Sequence, residues 1–162
     1  MKVKRLAMNQ VKLRHHPTLS QITCHDHFAL TSPVDIQRLP LQVAQTLLDL
    51  SPVLACKNPD EPIDWQLNSN PTLELLKHHP AQHKLYISIL YMPAEVVDDT
   101  LIGALLFAPA LNYRENNKLL SNLSHRVQQT KSRLTQPPSK KQLAQWANVK
   151  PSAIRHIKDI NG

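Results

Sequence analysis

Hydrophobic positions recur with helical spacing in several stretches of the chain and alternate with polar ones in others. Leu41, Val43, Ala44, Leu47 and Leu48 form one apolar face over residues 41–50, just after Pro40, and predict a helix whose first turn suits the proline. Residues 52–56 form a short apolar run and read as a buried strand. Residues 63–67 alternate, as a half-exposed strand does, and follow a turn-rich stretch at residues 58–62. Asn70 and Pro71 open a helix through His78, with Asn as N-cap and Pro in the first helical position. Residues 85–92 are the clearest strand, ended by Pro93. Residues 94–107 predict a mostly buried helix with Glu95, Asp98 and Asp99 near its N-terminus and Pro109 as its stop. A longer helix is expected over 115–134, apolar at Leu119, Leu120, Leu123 and Val127. Val34, Asp35 and Ile36 suggest a short strand, and residues 1–20, which have no clear period, an arm or first strand.

This order predicts an α/β (α+β) N-terminal body followed by an all-α helix-turn-helix module. The expected divisions are an arm and lead-in at 1–33, a body at 34–108 and a helical module at 109–162.

Within that module, residues 139–158 carry the pattern of a helix-turn-helix. Ser139 caps a first helix, with Leu143 and Ala147 facing the core. Ala144 is the small residue at a close helix crossing. Asn148 occupies the turn, where tolerance of left-handed backbone is needed. Val149 plugs the angle, Pro151 starts a second helix over 151–158, and Ile154 and Ile157 anchor it. The exposed residues would be Lys150, Ser152, Ala153, Arg155, His156 and Lys158. Ser152 and Arg155 are the expected base readers, and Lys140, Lys141, Lys150 and Lys158 the expected phosphate contacts. The competing reading is a helical hairpin with a solvated basic face.

Charge sharpens this reading. The net charge of +7 divides into +5 over residues 1–20, −6 over 21–112 and +8 over 113–162. A strongly basic last third points to a polyanionic partner. Only two glycines occur, Gly103 and Gly162, so the chain has no glycine-rich phosphate loop. No apolar run is long enough to span a bilayer, and the basic start lacks the apolar stretch of a signal peptide, so a cytoplasmic protein is expected. Cys24 and Cys56 make no disulfide framework.

The succession of elements, with Ser51, Pro52, Val53, Leu54 and Ala55 in the first body strand, resembles the N-terminal half of ParB-type partition proteins. The resemblance covers residues 34–158, mostly as a pattern of elements, with the helix-turn-helix matching at residue level. It implies a DNA-binding regulator or a partition and maintenance factor of a plasmid, phage or other mobile element. At the place of the family's Gly- and Arg-rich nucleotide segment this chain has Asn68, Ser69, Asn70, Pro71, Thr72 and Leu73, so nucleotide binding is not carried over. The family's further helical segment and dimerisation domain have no counterpart in these residues, which favours a diverged regulator.

Other clusters carry weaker signals. Cys24, His25, Asp26 and His27, with His15 and His16 nearby, lack a second cysteine pair at zinc-ligand spacing. His78, His79 and His83 follow a short helix, and Asp98 and Asp99 read as helix-dipole partners. Trp146 reads as a packing residue. No catalytic group, metal, cofactor or small-molecule substrate is expected. The expected partners are double-stranded DNA and a second copy of the chain, since a single motif of this kind seldom binds tightly. Two rivals stand: an interaction module in a conjugation, replication or transposition assembly, and a metal-dependent nuclease centred on Glu95, Asp98 and Asp99.

Overall fold

The computed structural model describes residues 1–26, 35–116, 119–133, 137–147 and 149–155, without the side chains of residues 114–116. The architecture is mixed α/β, a five-stranded sheet with helices. The described residues fall into two compact units, one of residues 1–26 and 35–109 and one from residue 110 onward.

The body is built on strands β1 (Lys2–Ala7), β2 (Leu13–His15), β3 (Val53–Cys56), β4 (Asp64–Gln66) and β5 (Tyr86–Tyr91), in the order β1-β5-β3-β4-β2. β5 pairs parallel with β3 and antiparallel with β1. β4 pairs antiparallel with β3 and parallel with β2. The expected pairing of the 85–92 strand with the 52–56 strand is therefore present, with Val53 opposite Ile89 and Ala55 opposite Tyr91.

Of the two readings of residues 1–20, the first strand is present and a separate arm is not. These residues supply both edges of the sheet, and the following helix α1 (Pro17–Thr23) packs Leu19 into the body. The lack of a period over residues 1–20 has a physical cause. An edge strand buries little, and three residues of β2 are too few to show alternation. Lys2, Lys4, Arg5 and Arg14 on these edges discourage pairing with another sheet. Arg5 pairs with Asp49 and Arg14 with Glu61, so part of that charge is answered within the body.

Helix α2 (Leu41–Asp49) buries Ala44 and Leu48. Its Gln45 amide clasps the start of β5, accepting from the Tyr86 N–H at 2.9 Å and donating to the Tyr86 carbonyl at 3.0 Å. Helix α3 (Pro71–Leu76) starts as expected, with the Asn70 side chain accepting from the Leu73 N–H. Ahead of α2, the expected strand at 34–36 is not formed where it is described. Ile36 opens the 3-10 turn Ile36–Arg38, closed by an ion pair of Asp35 with Arg38 at 3.0 Å; Val34 lies outside the described residues.

After β5 comes the 3-10 turn Ala94–Val96, then α4 (Val97–Ile102), a π-helical segment Gly103–Phe107 and α5 (Ala108–Asn116). Pro109, expected as a stop, lies inside this helical run. Proline has no N–H for the carbonyl four residues back and its ring collides with that carbonyl. The π turn just before it bonds with longer spacing, Ala108 N–H to Gly103 carbonyl, and widens the helix where the ring must fit. The run is also less buried than expected. Leu101 is buried against Leu19, Cys56 and Leu67, whereas Leu106 and Phe107 are exposed.

The second unit holds the end of α5, then α6 (Leu119–Lys131) and α7 (Lys140–Ala147). Of the helix expected over 115–134, residues 119–131 are helical as α6 and residues 115–116 are helical at the end of α5, whereas residues 117, 118 and 134 lie outside the described residues. Val127 and Ser124 are buried on α6.

Candidate nucleic-acid interface

The expected motif begins on α7. Ser139 and Gln142 form a reciprocal cap. The Ser139 hydroxyl accepts from the Gln142 N–H at 3.2 Å, and the Gln142 side-chain carbonyl accepts from the Ser139 N–H at 2.8 Å. Ser139 was legible as a cap; the part of Gln142 was not drawn from the sequence, although a Ser followed three residues later by Gln is its signature. Ala144 is fully buried, Leu143 and Trp146 half-buried. Ala147, expected to face the core, is exposed. The chain turns back after Ala147, where the Val149 N–H donates to the Ala144 carbonyl at 2.9 Å and closes the end of α7.

Lys150 is extended, with φ −65° and ψ 142°, so no continuous helix runs through the turn. Pro151–Ala153 then forms a 3-10 turn packed against α7, with Ile154 only 1% exposed. The expected second helix is not present over residues 151–155. A 3-10 geometry rarely extends beyond one turn, and Ile154, with ψ 73°, leaves the helical region as its side chain is drawn into the core. His156, Ile157 and Lys158, like Asn148, lie outside the described residues.

Lys141, Lys150, Ser152 and Arg155 are exposed and Lys140 is half-buried. Among the described residues none of these four cations has an ion-pair partner. Arg126, Lys131 and Arg133, on and just after α6, are also exposed and were not singled out from the sequence. Their only signal there was the charge of +8 over residues 113–162.

In the body, the amide side chains of Gln66, Asn68 and Asn70 are committed to backbone hydrogen bonds. Asn68 accepts from the Leu54 N–H at 2.9 Å, Gln66 donates to the Asn68 carbonyl at 2.7 Å, and Asn70 donates to the Ser51 carbonyl at 2.8 Å while capping α3. These amides join β3, β4 and α3. His79 is likewise structural. It is buried, its Nδ1 accepts from the Ala81 N–H, and its Nε2 therefore carries the proton donated to the Leu39 carbonyl at 2.8 Å.

A cleft of about 480 Å³ beside the carboxyl ends of β3 and β5 is lined by His16, Cys56, Lys57, Trp65, Met92 and Asp98, among others. Burial, with Asp64 nearby, pushes the Cys56 thiol up, which disfavours the nucleophilic thiolate. Tyr91 is pushed up to about 12 by burial and by the hydrogen bond it donates to Asp64. Lys57 binds the same carboxylate at 2.8 Å and lies over the Tyr91 ring. Cys24 is exposed, and its thiol bonds the Gln21 carbonyl. Among the described residues no three His, Cys, Asp or Glu side chains converge as a metal site. No helix among them is long and apolar enough to cross a membrane.

No family model, curated protein or solved structure matches this chain.

Proposed function

We propose that the protein binds double-stranded DNA through its C-terminal helical unit. The observation that carries this reading is the α7 corner. Ala144 and Ile154 are buried where α7 meets the following turn, while Lys141, Lys150, Ser152 and Arg155 stand exposed around that small, fixed scaffold. A rigid corner edged with cations that have no ion-pair partner among the described residues fits a phosphate backbone, and Arg155 beside the buried Ile154 anchor suits a guanine edge. What supports the reading is this basic corner rather than a formed recognition helix. The unit's charge supplies most of the affinity, and sequence preference comes from the few side chains near the turn.

On this reading the protein acts in the cytoplasm, without catalysis, as a regulator or maintenance factor of a mobile element, as the ParB-like order of elements suggests. Selection from a random duplex pool is expected to enrich one motif, and a palindrome in it would indicate two copies per site. Fluorescence anisotropy on that motif and on random duplex then separates readout from charge. Arg155→Ala should cost ~1–3 kcal/mol on the preferred site and little on random duplex. Lys140→Ala should weaken both alike and lower the salt slope by about one. No enrichment, together with equal losses for the two variants on every sequence, would overturn sequence-specific binding.

A further inference from the structure

An open groove of about 310 Å³ runs between α1 and the α4 helix. Its floor is Leu101 and Leu105, and its walls are Ile22, Ile102 and Leu106. Ile22 is 56% exposed, Leu106 61% and the adjoining Phe107 65%. Isolated exposed apolar residues are ordinary, but several sharing one concave strip mark a contact surface. The lining of the groove includes one carboxylate, Asp98. Glu95 and Asp99 are close along the chain, and none of the three is ion-paired among the described residues.

We propose that this groove receives a basic, amphipathic helix from the C-terminal unit of a second copy of the chain. An apolar strip lined by a carboxylate, with two more acids nearby in the chain, asks for a helix with an apolar face flanked by cations. Two grooves facing each other do not meet that demand, because Asp98 would approach Asp98 as water is excluded. The chain itself encodes the complement. Residues 113–162 hold ten Lys and Arg against two acids, and α6 sets the exposed Leu119 on the same side as the exposed Arg126, with Leu120 and Leu123 half-buried and Lys131 exposed. Each copy thus offers one acidic apolar groove and one basic apolar helix, so two copies satisfy both pairs around a two-fold axis. The inference does not depend on DNA binding.

The test is sedimentation equilibrium of the full chain without nucleic acid, at about 50 and 500 mM salt. A monomer–dimer equilibrium weakened by salt is expected. Leu106→Glu, at an exposed position, and Asp98→Lys should each raise the dimer Kd about tenfold or more. In mixtures of isotopically light and heavy chain, zero-length crosslinks between copies should join Glu95, Asp98 or Asp99 to lysines of residues 118–158. A monomer at every concentration overturns the proposal. So does a dimer insensitive to both substitutions, or one whose intermolecular crosslinks join body to body only. Should Leu106→Glu fail to fold by circular dichroism, Asp98→Lys and the crosslinks decide the matter alone.

Discussion

Ala144→Leu tests whether α7 and the turn after it pack as one unit. Ala144 has no exposed surface and Ile154 has 1%, and the Val149 N–H ties the returning chain to the Ala144 carbonyl at 2.9 Å. Three added carbons would gain about 0.8 kcal/mol each if they found apolar space. Here they meet the 3-10 turn instead. Overpacking of this kind costs ~1–3 kcal/mol net, by forcing either an off-rotamer leucine or a displaced turn. Because the chain forms two units, a single global transition is not assured. The two tryptophans provide a local readout, since Trp65 lies in β4 and Trp146 in α7. Urea unfolding followed by fluorescence in a Trp65→Phe background reports the helical unit through Trp146. The expected result is a midpoint lowered by that cost over the slope, with the slope itself unchanged. Displacing the turn also moves Lys150, Ser152 and Arg155, so duplex affinity should fall under conditions where the variant remains folded. An unchanged midpoint would refute the close packing at Ala144, and with it the fixed corner on which the DNA-binding proposal rests.

Other outcomes follow from the body and from α6. A Cβ at Gly103 meets nothing within 4 Å, and the backbone there is helical, so Gly103→Ala should stabilise the body by ~0.5–1 kcal/mol in urea unfolding followed through Trp65. The Ser124 hydroxyl is buried without a hydrogen-bond partner among the described residues, so Ser124→Ala should raise the stability of the helical unit by about 1 kcal/mol, read from its Trp146 transition. Tyr91 has a folded pKa raised to about 12, above its unfolded value near 10. Its neutral form therefore contributes stability that is complete below about pH 10 and is lost as pH rises toward 12. Tyr91→Phe should flatten the body's stability between those limits, measured as urea midpoint against pH.

The elements legible in the sequence were those with an uninterrupted local signal. The run Ile87, Ser88, Ile89, Leu90 and Tyr91 is apolar because β5 is an interior strand, and Asn70 with Pro71 marks a helix start that depends on nothing distant. What stayed undecided or escaped notice depends on partners far along the chain. β1 is a strand because β5 offers it an edge, and its own residues lie mostly at the surface. Pro109 reads as a helix stop unless one foresees a π turn absorbing its ring. At the candidate interface the sequence revealed Ser139, the small Ala144 and the basic positions, all read from local spacing. It did not reveal that Ile154 leaves the helix, because burial of that side chain against α7 overrides the local preference for continuing the turn.

The fold also divides the charge blocks into different roles. A basic first segment followed by an acidic middle looks, in one dimension, like a tail reaching for a polyanion. Folded, those first residues are the two sheet edges, and Arg5 and Arg14 meet Asp49 and Glu61 in the same unit. Taken together, residues 1–112 are close to neutral, with +5 offset by −6. The +8 of residues 113–162 has no such internal answer, as only two acids accompany its ten cations. Self-repulsion of that unit is relieved either by counterions or by a negatively charged partner, and release of condensed counterions makes nucleic acid a strong competitor for the role. An acidic groove on a second copy competes for the same cations. If both proposals hold, duplex DNA and self-association through the groove are antagonistic wherever they use the same lysines and arginines. They are compatible only if the helix that enters the groove leaves the Ala144 corner free.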